Sequence, residues 1–353
     1  MWSHPPEKST PASDSDPTAA VAAIDTLWPK TAPTANTKIG RRRGARAAGL
    51  AEAEGNRLVK RGIDHLVLAV TDLEAARRRY RSFGFTTTPR AEHPFGTANS
   101  LVQLRENFLE LLSIDAPHKI PPKVSGHFSF GAYNKRYTER REGMSMLVLQ
   151  SDDARRDRAE FAANGLRTYA PFDFSRQATL PDGSRVTISF SLAFVTEERM
   201  PEAAFFVCQQ HAPEYFWKPE YQRHDNGATD VVEVVMIADD PGSFREFFAR
   251  LEGEDNVSAE GGALAVSTSH GRISMLTPER FAARFPDAAI AAAPATPHFA
   301  AYQVAVADLG ATEALFVERG VKFSRHRGRL QINAPEAFGV VIEFLAAPSG
   351  SRT

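Results

Sequence analysis

Two polar side chains set in apolar segments are the residues of this chain best placed to do chemistry. His65 lies in the apolar run from Gly62 to Val70, and Glu110 lies in the apolar run from Asn107 to Ile114. Both runs have the length and composition of buried strands. A buried ionised carboxylate is costly unless it is paired with a charge or coordinates a metal. The two residues therefore predict a metal site built from β-strands.

Each of these residues also has a simpler interpretation, which the residues alone leave open. His65 could be a core histidine whose ring nitrogens are satisfied by hydrogen bonds. Glu110 could be a strand carboxylate that pairs with an arginine. The two positions together indicate a site more strongly than either does alone.

The segment between the two strands predicts a compact supersecondary unit. A helix from about Asp72 to Phe83 begins at Thr71-Asp72, and its apolar residues Leu73, Ala76 and Tyr80 follow helical spacing. Two or three short strands follow, and the last of them carries Glu110. Residues 62–115 therefore form a βαβββ module.

Three further segments repeat this pattern, so the chain is predicted to be an α+β protein of repeated βαβββ modules. The second copy has a helix that runs through Ala163 and stops at Asn164-Gly165. Its later strands are predicted at residues 185–195 and 203–210. The three further copies begin at residues 143, 230 and 299.

The modules and the chain composition suggest a domain plan. Residues 1–60 are rich in Pro, Ser, Thr, Ala and Asp, which predicts a disordered N-terminal arm. The first pair of modules occupies residues 61–228. A second, degenerate pair occupies residues 229–348, and residues 349–353 form a tail.

Composition excludes several classes of function. The 353 residues carry a formal net charge of −1, and no basic stripe is interleaved with aromatic residues, so a nucleic-acid partner is not expected. No apolar run approaches 18 residues, so we expect no membrane span, and the N-terminus does not resemble a secretory signal. Cys208 is the only cysteine, which rules out an internal disulfide and fits a cytoplasmic protein. We expect a small-molecule substrate and consider a homodimer possible.

The opening Gly62-Ile63-Asp64-His65-Leu66-Val67-Leu68 resembles the vicinal-oxygen-chelate superfamily, which includes glyoxalase I, extradiol dioxygenases and bleomycin-resistance proteins. Further motifs resemble its glyoxalase-like branch, which is found in many bacterial proteins. The resemblance covers about residues 62 to 278 and implies that two modules pair into a cupped mixed sheet around a divalent metal ion. The motifs are Cys208-Gln209-Gln210-His211, Phe216-Trp217, the segment His224 to Ala228, the segment His93 to Asn99, and Phe128 to Gly131.

The resemblance also implies the metal ligands, because each module of this superfamily offers one ligand from its first strand and one from its last. These positions are His65, Glu110 and His211, a facial set that suits Fe, Zn, Mn or Ni. An alternative is that His211 binds the substrate rather than the metal. The fourth position falls at Met146 or Ser145, and neither is a usual ligand. This departs from glyoxalase I, which uses four ligands.

Two loops are candidates for contacts with the substrate. His93, Thr97 and Asn99 precede the third strand, where the resemblance implies that they face the cup as substrate contacts or as support for the ligands. The alternative is a turn stabilised by hydrogen bonds of Asn and Thr side chains.

The second loop is the aromatic and turn-rich segment from Ala212 to Ala228, which is expected to cover the mouth of a pocket. Trp217 and Asn226 are its candidate substrate contacts. A general base is either Glu110 or His224. The alternatives are a packed linker between domains, or an exchange of roles in which His224 rather than His211 reaches the metal.

The function implied by the resemblance is a metal-dependent, glyoxalase-like lyase or isomerase that acts on a small 2-oxo or vicinal-oxygen substrate. A metal-free binding protein of the bleomycin-resistance kind and a ring-cleaving dioxygenase are the alternatives. Glu233 and Glu343 occupy the matching strands of the later modules without accompanying histidines. We therefore expect the second pair to be a structural copy.

Overall fold

A computed structural model describes residues 61–179, 185–288 and 296–347. The predicted arm at residues 1–60 and the predicted tail at residues 349–353 lie outside the described residues.

Two mixed β-sheets organise the described part of the chain. The first sheet has the strand order β2-β3-β4-β1-β5-β9-β8-β6, and β7 pairs with β8. Its strands are β1 (Ile63–Ala69), β2 (Ala91–Glu92), β3 (Thr97–Gln103), β4 (Phe108–Ile114), β5 (Gly143–Gln150), β6 (Arg167–Thr168), β7 (Phe172–Thr179), β8 (Arg185–Thr196) and β9 (Ala204–Gln210).

The second sheet has the order β11-β12-β13-β10-β14-β17-β16-β15. Its strands are β10 (Ala228–Ile237), β11 (Val257–Glu260), β12 (Ala263–Ser267), β13 (Arg272–Leu276), β14 (His298–Val306), β15 (Ser324–His326), β16 (Arg329–Ile332) and β17 (Val341–Ala346).

Short helices connect the strands and pack against the sheets. The α-helices are α1 (Leu73–Ser82), α2 (Phe130–Thr138), α3 (Ala154–Ala163), α4 (Pro213–Phe216), α5 (Arg245–Glu252), α6 (Pro278–Arg284) and α7 (Leu309–Glu318). Single 3₁₀ turns occupy Pro117–Lys119, Pro241–Phe244, Glu254–Asn256 and Ala334–Ala337. Among the described residues, no helix is both long and apolar enough to span a membrane.

The strand pairing shows one pattern four times. The first strand of each module pairs in parallel with its last strand, in β1/β4, β5/β9, β10/β13 and β14/β17. The first strands of two modules then pair antiparallel, in β1/β5 and β10/β14. This confirms the predicted α+β fold of βαβββ modules paired into cupped mixed sheets. The sequence interpretation omitted β7, which adds a strand to the second module.

Similar local signals start and stop the module helices. In α1, α3 and α7 an aspartate side chain accepts hydrogen bonds from backbone N–H groups of the first turn. These N-caps are Asp72, Asp153 and Asp308. After α1 and α3 the chain turns at Gly84 and Gly165, whose φ angles are 88° and 78°. A side chain at Gly84 would also collide with Asn226.

Alternation along the strands divides the apolar residues between two faces of the first sheet. Leu66 and Leu68 of β1 belong to a core cluster that extends over both sheets. Val67 belongs to a separate aromatic cluster on the concave face. Phe205 illustrates the shared core, since its ring lies 5.6 Å from the ring of Phe299 in the second sheet. The division into two domains at residue 228 stays a prediction.

The second sheet fills its cup with an ion-pair network. The Arg284 guanidinium, at the end of α6, donates to the Oε2 atoms of Glu233 and Glu343 at 2.6 and 3.1 Å. Burial alone would raise the pKa of Glu233, but the hydrogen bond and charge of Arg284, with Arg272 and Ser274, hold it at about 2. The second cup is therefore occupied by protein side chains.

We predict that Arg284→Met lowers the free energy of unfolding by about 2 kcal/mol at pH 7, because it removes the guanidinium that two buried carboxylates share and leaves each of them with one arginine, Arg272 or Arg329. The folded pKa of Glu233 lies below its unfolded value, so this stability is present above about pH 4.3 and is lost as the pH falls towards 2. The difference between the proteins should therefore shrink in acid. Urea unfolding from pH 7 to pH 3 measures it.

The matched control is Arg280→Met on the same helix, because Arg280 is exposed. Equal unfolding midpoints for the Arg284 variant and the wild type at pH 7 would contradict the role given to this network.

Candidate functional site

The concave face of the first sheet lines a cavity with a volume of about 50 Å³. Seven phenylalanines and two leucines form most of its wall. Six side chains with polar atoms interrupt this apolar lining, which is the composition typical of a small-molecule site. They are His65, His93, Asn99, Glu110, Arg176 and Cys208.

Strand register brings the two residues first singled out in the sequence together. In the parallel pairing of β1 with β4, His65 lies opposite Phe108 and Val67 lies opposite Glu110. Residues 65 and 67 share the concave face because side chains alternate along a strand. The Nε2 atom of His65 lies 3.7 Å from Oε2 of Glu110, and both residues are about 5% exposed.

The neighbouring carboxylate orients the His65 ring. Asp64 Oδ1 lies 2.5 Å from His65 Nδ1, and Gln210 donates to the other oxygen of Asp64 at 3.3 Å. The ring stacks on Phe108 with 4.2 Å between centroids. Because Asp64 holds Nδ1, the Nε2 atom is the ring nitrogen left to face the cavity.

A side chain from β3 holds the Glu110 carboxylate from behind. Asn99 Nδ2 donates to Oε1 at 2.7 Å. Burial raises the pKa of Glu110, while the charge of His65 and the Asn99 hydrogen bond oppose that rise. The Oε2 atom has no hydrogen-bond donor among the described residues, so it is the oxygen available to a ligand.

The same asparagine continues a hydrogen-bonded chain to His93 and Thr97. Asn99 Nδ2 lies 3.2 Å from Nε2 of His93, and Nδ1 of His93 lies 2.8 Å from Oγ1 of Thr97. Burial lowers the pKa of His93 to about 3, helped by the charges of Arg176 and His65. The ring is therefore neutral. His93 and Asn99 line the cavity, whereas Thr97 is not part of its wall and bonds to His93.

The sequence interpretation missed Arg176, which lies on β7 and lines the cavity. Burial lowers its pKa, and the charge of Glu110 opposes this. Strict alternation could have revealed it, since Phe172, Phe174 and Arg176 share one face and polar residues separate them. Cys208 also lines the cavity, where burial raises the pKa of its thiol.

The structure does not bring His211 together with His65 and Glu110. Strand β9 ends at Gln210, and the exposed His211 side chain bonds through Nε2 to Ser191 Oγ at 2.8 Å. Even-numbered residues of β9, such as Phe206 and Cys208, belong to the concave cluster. An odd-numbered residue past the end of this strand does not reach the cavity.

The second module supplies no donor where the superfamily pattern implies one. Val148 pairs with Phe206 as Val67 pairs with Glu110, so Phe206 occupies the position that corresponds to Glu110. In the same alignment the fully buried, apolar Met146 corresponds to His65.

Because the second module has apolar residues at these positions, any metal ligands at these strand positions would have to come from the first module. Across the described residues, no group of three His, Cys, Asp or Glu side chains is placed to hold a metal ion. His93 Nε2 lies 3.9 Å from Glu110 Oε1, but it is engaged by Asn99. His65 and Glu110 alone are fewer than the three protein ligands of a typical catalytic metal site. The described residues therefore do not fit a resident catalytic metal.

In the aromatic loop from Ala212 to Ala228, the residue that lines the cavity is Phe216, which is not one of the predicted substrate contacts. Phe216, at the end of α4, lines the cavity and lies 5.1 Å from the ring of Phe108. Trp217 packs outside these two rings, at 5.2 and 5.8 Å, and is not part of the cavity wall. The structure therefore places Trp217, the predicted substrate contact, behind the wall residues Phe108 and Phe216.

The remaining loop residues bind the backbone of the first module. The Thr86 N–H donates to Nδ1 of His224 at 3.0 Å, and Nε2 of His224 donates to the Gln103 carbonyl at 2.9 Å. Burial lowers the pKa of His224. Asn226 is fully buried and donates to the Phe83 carbonyl at 2.9 Å. Neither His224, predicted as a catalytic residue, nor Asn226, predicted as a substrate contact, lines the cavity.

The comparison with protein families identifies the first sheet and part of the second. A family model described as a glyoxalase-like domain matches residues 63–252. This chain belongs to that glyoxalase-like family. The match confirms the resemblance to the vicinal-oxygen-chelate superfamily, and it ends at the last residue of α5.

Solved structures of similar fold extend the likeness beyond the matched segment. A hypothetical protein from Staphylococcus aureus has a TM-score of 0.57 and 11% identity, over 81% of this chain and 100% of its own. That likeness shows the fold alone. No curated protein matches the chain significantly.

Two further solved structures are similar to this chain at lower TM-scores. A triple mutant of 4-hydroxymandelate synthase from Streptomyces coelicolor has a TM-score of 0.48 and 13% identity, over 83% of this chain and 94% of its own. A xylose isomerase-like TIM barrel/4-hydroxyphenylpyruvate dioxygenase fusion protein has a TM-score of 0.49 and 11% identity, over 84% and 51%.

We predict that His224→Ala lowers the free energy of unfolding by about 1–3 kcal/mol, because it removes the side-chain partner of the half-buried Thr86 N–H and of the Gln103 carbonyl. Urea unfolding followed by tryptophan fluorescence measures the loss. His118→Ala is the control, since His118 is exposed and should leave the midpoint unchanged. A His224 variant as stable as the wild type would refute this structural role.

Proposed function

We propose that this glyoxalase-like protein is an enzyme of the isomerase or lyase type that moves a proton on a small, oxygen-bearing substrate. This proposal rests on the pair formed by His65 Nε2 and Glu110 Oε2, which lie 3.7 Å apart at an apolar cavity. Each group is held from behind, His65 by Asp64 and Glu110 by Asn99. Such fixed pairs are typical of general acid–base catalysis.

The roles follow from the two environments. Glu110 sits in apolar surroundings that raise its pKa, which makes its carboxylate a stronger base than an exposed one. It removes a proton from the carbon beside the substrate carbonyl. His65 delivers a proton from Nε2 to the carbonyl oxygen, which gives an enediol or enol. In an isomerisation, Glu110 returns its proton to the former carbonyl carbon, and the hydroxyl on the other carbon gives its proton to His65 as the new carbonyl forms. In a lyase reaction, the leaving group departs with the proton held by Glu110, and the enol proton returns to His65 as the carbonyl re-forms.

The proposed reaction uses protein side chains alone, because the donor set does not fit a resident catalytic metal. The same misfit weighs against the ring-cleaving dioxygenase alternative. It also favours a second candidate, a protein that sequesters a ligand without changing it. The enclosed aromatic wall supports such binding, although binding alone leaves the placement of Glu110 and His65 without a role.

Proton exchange in D₂O tests the proposed chemistry. Hydroxyacetone, 2-oxobutanoate and phenylpyruvate serve as probes, and proton NMR measures loss of the signal from the carbon beside the carbonyl. We predict that the wild type accelerates exchange for at least one probe. Glu110→Gln should slow it by about 100-fold or more, since a general base contributes at least that much.

Glu92→Gln is the matched control, because Glu92 is an exposed strand carboxylate and should leave the exchange rate unchanged. A wild type that binds a probe without exchanging its proton would instead support sequestration. Full exchange by Glu110→Gln would show that another group is the base.

Metal removal gives a separate prediction. Dialysis against EDTA should leave the exchange rate and the thermal midpoint unchanged, and elemental analysis before dialysis should find no stoichiometric Fe, Zn, Mn or Ni. His211→Ala should behave like the wild type. If dialysis against EDTA removed a bound metal and abolished the exchange activity together, the conclusion that these side chains do not fit a catalytic metal would be wrong.

A further inference from the structure

Arg176 brings a positive charge to an apolar wall. It lies on β7 opposite Ile188 of β8, and β7 pairs with no other described strand. Phe174 lines the same cavity from the same face of β7. The alternate residue Asp173 points away from this face and pairs with Arg155. Alternation therefore directs the Arg176 guanidinium to the cavity rather than to the surface.

Within the part of the chain that the structure describes, Arg176 forms neither an ion pair nor a hydrogen bond. Glu110 is close enough to affect its pKa, but the Glu110 oxygens face Asn99 and His65. The second cup shows the contrast, because there Arg284 is neutralised by two buried glutamates. In the first cup, no carboxylate of the described residues forms an ion pair with Arg176.

We infer that Arg176 binds the carboxylate of a small apolar acid whose hydrocarbon part packs on the phenylalanines of the cavity. A guanidinium fork matches a carboxylate geometrically, and such charged hydrogen bonds strengthen where water is excluded. Glu110 shares the cavity and repels additional negative charge, which favours a monoanion over a phosphate dianion. The cavity volume of about 50 Å³ favours a small ligand. This inference rests on the proposed function and names its substrate class, a small apolar 2-oxo acid.

Matched acids and amides test the charge separately from the shape. The probes are propanoate with propanamide, and butanoate with butanamide, and ligand-observed NMR titration gives each Kd. We expect the wild type to bind each acid more tightly than its amide. Arg176→Met should raise the Kd of the acids about ten-fold or more and leave the Kd of the amides unchanged. Arg176→Lys should restore part of the affinity for the acids.

Gln177→Met is the control on the opposite face of β7, where the side chain is exposed, and it should bind all four probes like the wild type. Circular dichroism and a thermal melt establish that each variant folds. If Arg176→Met does not fold, Arg176→Lys and Arg176→Gln carry the comparison.

Three results would overturn the inference: equal binding of acid and amide by the wild type, equal weakening of both by Arg176→Met, or no binding of either acid. Binding of the acids by Arg176 can be tested independently of the proposed proton transfer. Acid binding that depends on Arg176, in a protein that exchanges no proton from any 2-oxo probe, would refute the proposed reaction and leave the carboxylate site standing.

Discussion

The burial of the Glu110 carboxylate is the constraint on which the first cup depends. The side chain is 5% exposed, so the protein must supply the interactions that water no longer provides. Parallel pairing of β1 with β4 sets His65 beside it, and β3 adds the Asn99 hydrogen bond. Asn99 in turn fixes His93, and His93 meets Thr97. The polar half of the cavity is thus one connected set of contacts.

The two cups have the same strand topology, but their charged side chains have different partners. In the second sheet the guanidinium of Arg284 joins Glu233 and Glu343, so the carboxylates are neutralised and the space is filled. In the first sheet Arg176 and Glu110 approach a cavity lined by aromatic rings without pairing with each other. One sheet therefore buttresses the fold, and the other presents a hydrophobic pocket with a charged group of each sign.

Membership of the glyoxalase-like family does not determine which groups do the chemistry. The first module has an imidazole and a carboxylate on its first and last strands, whereas the second has Met146 and Phe206 at the corresponding positions. Phe206 instead packs edge-on against the His65 ring, 5.6 Å away. The first module therefore supplies the polar half of the site, to which we assign the proposed proton transfer, and the second module contributes apolar wall.

Local sequence patterns determined the repeated modules, the aspartate caps of the helices, and the strand positions of His65, Glu110 and Met146, because these depend on residues near one another in the chain. His93 and Asn99 also followed from the family motif. Only the tertiary structure decided the rest. A side chain reaches the cavity according to strand register and alternation, which exclude His211 and admit Arg176 on the unpredicted strand β7. The sequence suggested His224 as a general base and Asn226 as a substrate contact. In the structure both side chains form hydrogen bonds with backbone groups of the first module, because buried backbone groups require partners.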